Sequence, residues 1–216
     1  MTKLHQTVDP SLIHTWAKGW AKARALAPPT TEYTAFRVDV GWPDQKTRYI
    51  FPEANNSYRE FAQTIEEPYV FLKACATAET VAPLLSEKWK LEDSTNMMVH
   101  ESGNRMQAPP LPLGYKLVIS NTGPVPLAEI IYQETVVAKG GIALVNDYGI
   151  YDRISTDAAH RRKGLASVIM GALQDIGHQH NIRKGILVAS HEGQFLYEKL
   201  GWKFYAPYST AVILPA

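Results

Sequence analysis

The chain has 216 residues, 45% of them hydrophobic and 20% charged, which is enough for one full domain with a smaller companion and too apolar for a disordered or fibrous chain. With 22 basic and 21 acidic side chains the net charge is +1, so no global field gathers a polyanion and a nucleic-acid partner is disfavoured. No apolar run approaches the roughly 20 residues of a membrane span, and the opening Met1-Thr2-Lys3-Leu4-His5 leads into no signal segment. The lone Cys75 suits a reducing compartment and reads as a small core residue, and no histidine spacing suggests a metal site. The expectation is a cytoplasmic protein with no membrane partner and no metal.

The first predicted element is a helix with Asp9 as N-cap, Pro10 at its first position, and Leu12, Ile13, Trp16, Trp20 and Ala23 at helical spacing. Pro28-Pro29 would end it. Its tryptophans favour docking on a core, with a membrane-surface helix as the alternative. A strand is expected over 33–40, then the turn Gly41-Trp42-Pro43-Asp44, a strand near 48–51, a helix over about 57–65 and a strand over 69–75. The segment 106–114 holds three prolines and reads as an extended linker, dividing the chain into 1–112 and 113–216.

Four β-type runs follow, over 115–120, 127–133, 136–145 and 148–156, separated by turn residues such as Asn121-Thr122-Gly123-Pro124 and Asn146-Asp147. They predict an antiparallel meander. Beyond it come a helix over about 164–179, a strand over 185–189, a helix over about 192–200, and two closing strands near 203–205 and 210–214. The fold class is α/β in the α+β sense, a mixed and mostly antiparallel sheet flanked by helices.

The helix after residue 164 carries Leu165, Val168, Ile169, Ala172, Leu173 and Ile176 on one face, so its start is well defined. Arg161, Arg162 and Lys163 stand just before it, at the end where the helix dipole is already positive. Each opposes that dipole by a few tenths of a kcal/mol, roughly, unless an anion such as a phosphate occupies the helix start. Gly164 would then let the backbone approach the anion, and Ala166 would keep the first turn thin. The alternative is a solvated basic loop with a turning glycine.

Arg161-Arg162-Lys163-Gly164-Leu165-Ala166 resembles the Arg/Gln-x-x-Gly-x-Gly/Ala loop of the GNAT superfamily of N-acetyltransferases, which holds the pyrophosphate of acetyl-CoA. In that superfamily a strand and a second helix follow, carrying a segment like Leu-Tyr-Glu-Lys-Leu-Gly-Phe. Here Leu196-Tyr197-Glu198-Lys199-Leu200-Gly201-Trp202 stands in that place, and residues 151–157 match the strand that feeds the loop. The resemblance covers about 115–216. Two positions depart from it: Ser190 stands where asparagine is common, and Trp202 replaces the final phenylalanine.

The resemblance implies an enzyme that moves an acetyl group from acetyl-CoA, as co-substrate, to an amine by direct attack. It assigns the diphosphate to Arg161, Arg162, Lys163, Gly164, Leu165, Ala166 and Ser167, and the pantetheine arm to the strand end Ile154, Ser155 and Thr156. Tyr197 becomes the proton donor to the departing thiolate, against a plain packing role for that ring. The base is open between Glu134 and Asp152, with His191 an outsider. The first hundred residues would wall the acceptor site as an accessory or degenerate half-GNAT region, because 70–91 faintly echoes 187–204. Trp16, Trp20, Tyr33, Phe36, Trp42, Tyr49, Phe51 and Tyr58 line a pocket there or build a core. The acceptor would be a small-molecule or peptide amine, and a homodimer stays open. Two other classes remain: a non-catalytic acyl-CoA sensor, and a nucleic-acid binder using the basic cluster.

Overall fold

The computed structural model describes residues 8–101 and 106–215, and Met1 to His5, read above for the lack of a signal segment, lie outside them. Helix α1 (Pro10–Lys22) begins as expected: the Asp9 carboxylate accepts from the Ser11 N–H at 2.8 Å, and Pro10 takes a position that needs no donor. It ends before Pro28, because Ala25 turns into the left-handed region at φ 56° and Leu26 N–H bonds back to Ala21. Trp16 and Trp20 are each only 4% exposed, so the helix is docked on the core by its tryptophans.

Strands β1 (Thr30–Glu32), β2 (Ala35–Trp42) and β3 (Gln45–Phe51) lead to helix α2 (Asn56–Thr64) and strand β4 (Val70–Ala74). A short helix α3 (Ala78–Val81) precedes β5 (Trp89–Leu91) and β6 (Thr95–Glu101). The predicted meander is present as β7 (Tyr115–Ser120), β8 (Leu127–Tyr132), β9 (Thr135–Val145) and β10 (Tyr148–Thr156). Then come α4 (Leu165–Gln179), β11 (Lys184–Ser190), α5 (His191–Lys199) and β12 (Lys203–Ile213). The two closing strands expected from sequence are one strand, β12, whose register shifts between Phe204 and Ala206 without breaking it.

All twelve strands share one sheet in the order β1-β2-β3-β4-β12-β6-β11-β10-β9-β8-β7, with β5 also on β12. Among the described residues only β3–β4 and β10–β11 run parallel, and each parallel pair follows an antiparallel hairpin and is joined by a crossover helix, α2 or α4. The same plan therefore appears twice. The two copies also exchange strands: β6 lies between β11 and β12, while β12 pairs with β6 over Lys203–Tyr208 and with β4 over Ser209–Val212.

Helix α1 covers one face of the sheet, over Val38, Ile50, Ile150 and Ile186. On the opposite face Leu165, Ile169 and Leu173 of α4 pack on Ile130 and Ile142. The expected linker is an irregular strap across α4: Met106 N–H donates to Gln174, Ala108 lies over Gly171, and Pro109 lies beside Gly164. Among the described residues no helix is long and apolar enough to cross a membrane. Cys75 is buried, and burial pushes its thiol up to about 12.

Candidate functional site

Strands β10 and β11 pair only over Tyr148–Ile150 and Lys184–Ile186. Beyond that they part, because β10 stays with β9 as far as Thr156 while β6 holds β11 as far as Ser190. A register shift between Asp152 and Ser155, with Arg153 at φ 54°, bends β10 away from its neighbour. The stretch Ile154, Ser155 and Thr156 thus borders a gap on its β11 side, and Thr156 Oγ1 is buried without a hydrogen-bond partner among the described residues. Across the gap, the Ser190 hydroxyl accepts from Gly193 N–H at 3.2 Å and caps α5, so serine performs the capping that asparagine would.

Helix α4 starts at the end of β10 with Gly164 at its N-cap, at φ 77° and with no side-chain cap. Its first-turn N–H groups, on Leu165, Ala166 and Ser167, therefore point out of the helix with no capping side chain. Arg161 Nε donates to the Thr156 carbonyl at 3.3 Å, and Lys163 Nζ donates to the Tyr115 hydroxyl at 3.0 Å, which also bonds His160 Nδ1. Arg162 is exposed at φ 63°, without a side-chain partner among the described residues. Two of the three cations are thus held by the chain itself, and Arg162 has no such bond among the described residues.

Gly164 has a reason of its own beside the expected approach of an anion. A Cβ at this residue would stand 2.7 Å from Pro109 Cγ, so the strap, together with the positive φ, already demands glycine.

Tyr197 of α5 is buried, packed toward Trp202 with ring centroids 6.2 Å apart. Burial, and then the charge of Asp152, pushes its phenol up to about 12, so it is protonated at neutral pH. Asp152 sits where β10 leaves β11 and is ion-paired with Arg24, which stacks on Trp20 at 4.0 Å. Asp152 is therefore near enough for its charge to act on the Tyr197 phenol.

Glu134 is not brought near Asp152. It lies exposed in the β8–β9 turn, seven residues along the strand from Gly141, the partner of Asp152, which is roughly 20 Å at about 3.3 Å per residue. His191 is exposed at the first position of α5, against Phe195.

A cavity of about 230 Å³ opens on the α1 side of the same gap. Arg48 of β3 lies 3.7 Å over the Trp20 ring and donates to the Gln45 amide oxygen, while Lys73 of β4 donates to Thr210 Oγ1 at 2.7 Å. Neither cation has a carboxylate in ion-pair contact among the described residues. The Tyr208 hydroxyl is likewise buried with no partner among them. Burial holds the Arg48 guanidinium down at about 10, and burial followed by the charge of Arg48 holds the Lys73 ammonium well below its ordinary value. Asp152 and Val188 form the wall next to the gap, and Glu92 and Asp93 stand at the exposed side.

Sequence reasoning missed Arg48, Lys73 and Tyr208, because cations alternating with apolar residues on a strand read as a solvated face. Of the eight aromatic candidates, Trp16 and Trp20 line this cavity. Tyr49, Phe51 and Tyr58 form a separate core around Phe61, Phe36 stacks on His14, and Tyr33 and Trp42 are exposed.

Residues 95–202, from the first residue of β6 to the one preceding β12, match the model of the acetyltransferase (GNAT) family. A GCN5-related N-acetyltransferase from Kribbella flavida superposes with a TM-score of 0.65 at 10% identity, over 94% of this chain and 96% of that one. Another, from Sphaerobacter thermophilus, gives 0.59 at 12% identity, over 85% of this chain and 78% of its own. A tandem GNAT protein from the clavulanic acid biosynthesis pathway gives 0.54 at 12% identity, over 97% and 96% of the two chains. At these identities the likeness is one of fold. Comparison with curated proteins gave no match.

Proposed function

Because this chain belongs to the GNAT family of acetyltransferases and is an acyltransferase, we propose that it moves an acetyl group from acetyl-CoA to an amine that attacks the thioester directly. The observation that carries this reading is the parting of β10 from β11 beside the uncapped start of α4. The first-turn N–H groups from Leu165 to Ser167 and the unpaired Arg162 suit a diphosphate, with Arg161 and Lys163 adding positive charge. The β11-side border at Ile154, Ser155 and Thr156 offers an extended amide arm the hydrogen bonds of an added strand.

Attack requires a neutral amine, a carbonyl carbon within reach and a proton for the sulfur. Asp152, fixed by Arg24, takes the proton that the acceptor ammonium sheds, through a water. The nitrogen lone pair then forms the amide bond as the carbon–sulfur bond breaks. Tyr197 gives its phenolic proton to the thiolate and recovers one from solvent. Its raised pKa keeps the proton on the phenol at neutral pH, so Tyr197 enters the step protonated and not as a base.

The twice-used strand plan supports reading residues 1–112 as a degenerate half-GNAT region beside a catalytic region over 113–216, with β6 and β12 exchanged between them. The near-zero net charge supports small acceptors over nucleic acid, and a single buried thiol is in keeping with the cytoplasm.

The test is release of free thiol from acetyl-CoA across a broad amine panel. Tyr197→Phe should lower kcat by roughly 10²- to 10⁴-fold, the range for a general acid. Turnover indifferent to that change would remove Tyr197 from the mechanism. Acetyl-CoA at one hundred times its Kd should stabilise the protein by about 2.7 kcal/mol, and an unmoved Tm would leave only the fold.

A further inference from the structure

The cavity beneath α1 holds charges that the fold itself does not require. Arg48, Lys73 and Tyr208 stand on the sheet face that elsewhere presents Val38, Ile50 and Ile186 to that helix. Placing a guanidinium and an ammonium on such a face is costly unless opposite charge meets them. In direct contact Arg48 has the Trp20 ring and the Gln45 amide, Lys73 has the Thr210 hydroxyl, and the Tyr208 hydroxyl, on a residue 2% exposed, has no hydrogen-bond partner among the described residues. Donors from three strands converge, and although the Glu92 charge acts on both cations, no carboxylate of the described residues forms an ion pair with either.

The remaining lining has the opposite sign. Asp152 borders the β10–β11 gap and is already engaged by Arg24, while Glu92 and Asp93 add two more carboxylates. A dianion such as a phosphate ester would face these acids, whereas a zwitterion matches both walls. The volume of about 230 Å³ lies below the roughly 300–1,000 Å³ of pockets for drug-sized ligands, which favours a single small molecule over a peptide.

We propose that the acyl acceptor is a free amino acid. Its carboxylate is bound by Arg48, Lys73 and the Tyr208 hydroxyl, and its amine points to Asp152 and Val188 at the gap. This deepens the acyltransferase reading and rests on it. In the reaction a nitrogen–carbon bond forms, the carbon–sulfur bond breaks, the nitrogen loses a proton and the sulfur gains one, giving an N-acetylated amino acid and the free thiol. Arg48 and Lys73 act as binding residues, so their loss should raise KM more than it lowers kcat.

The standard amino acids, each as free acid and as its carboxamide, are compared for thiol release with acetyl-CoA and for the thermal shift each produces without it. At least one free acid should exceed its carboxamide about 100-fold in kcat/KM, since a site built around a polar group rejects the analogue that lacks it. Arg48→Gln and Lys73→Met should each erase most of that preference and the matching thermal shift. Lys73→Met should also raise the Tm of the ligand-free protein by removing a buried cation that has no ion pair among the described residues, which keeps the test readable if Arg48→Gln fails to fold.

Equal use of acids and carboxamides, or a preference that survives both substitutions, overturns the proposal. So does the absence of any thermal shift with every free acid, whatever other amines are turned over. A free acid that shifts Tm in the native protein but not in Lys73→Met, with no thiol released from any amine, upholds the carboxylate site and sinks the acyltransferase reading instead.

Discussion

In the amino-terminal half, β3 and β4 stay paired from Thr47 and Val70 to Phe51 and Ala74, and the helix joining them is capped by Asn55, whose side chain accepts from Tyr58 N–H at 3.3 Å. In the carboxyl-terminal half, β10 and β11 pair over three residues and part, and the joining helix begins at a glycine without a cap. One plan is thus closed in the first copy and left open in the second. Where the chain satisfies its own helix-start donors and sheet edge, the unit serves as framework. Where it leaves both unmet, a ligand can complete them.

The largest expected effect comes from forcing a side chain onto the open copy. Gly164→Val places a branched residue at φ 77° with its Cβ 2.7 Å from Pro109 Cγ, and should cost roughly 2–5 kcal/mol by urea denaturation. Gly41→Ala is the matched control, at φ 71° with nothing within 4 Å, and should cost only about 1 kcal/mol. Equal losses would show that the strap does not constrain the loop.

Next in size, Arg162→Glu should raise the KM for acetyl-CoA by roughly 10- to 100-fold, the worth of a charge-assisted hydrogen bond, while leaving stability within about 0.5 kcal/mol. An unchanged KM would mean that the uncapped helix start is not where the diphosphate sits. Asn55→Ala, at the equivalent point of the closed copy, should do the reverse, costing about 1 kcal/mol in stability and leaving KM alone.

The smallest effect concerns the junction between the copies. His100 of β6 is buried near Trp202, and burial, then the charge of His178, holds its pKa below the ordinary value. The unfolded chain binds that proton more readily, so this stability is present above about pH 6.5 and lost as pH falls through the lowered folded value. A Tm series from neutral to acid pH should show the decline, with a shallower slope in His100→Gln.

The motif-bearing parts were the legible ones. α4 announced itself through six apolar residues on one face, and the meander through turn residues at hairpin spacing. β6 escaped notice because Met97 and Met98 are both fully buried, so no polar and apolar alternation marks the strand, and its partners β11 and β12 are distant in sequence. The two closing strands read from the sequence are one strand because the sheet accommodates a register shift between Phe204 and Ala206. In the candidate site, the anion loop and Tyr197 were readable from residue order. The cation pair was not, because Arg48 and Lys73 become neighbours only when β3 and β4 line up in the same sheet as β12.

The position of β12 has a further consequence for biogenesis. Its first residues complete the sheet around β6 and its last residues complete the sheet beside β4, so neither copy is whole until residue 213 has left the ribosome. Vectorial, copy-by-copy folding during translation is therefore blocked, and the nascent amino-terminal strands must wait with an exposed edge, a state in which chaperone capture competes with aggregation.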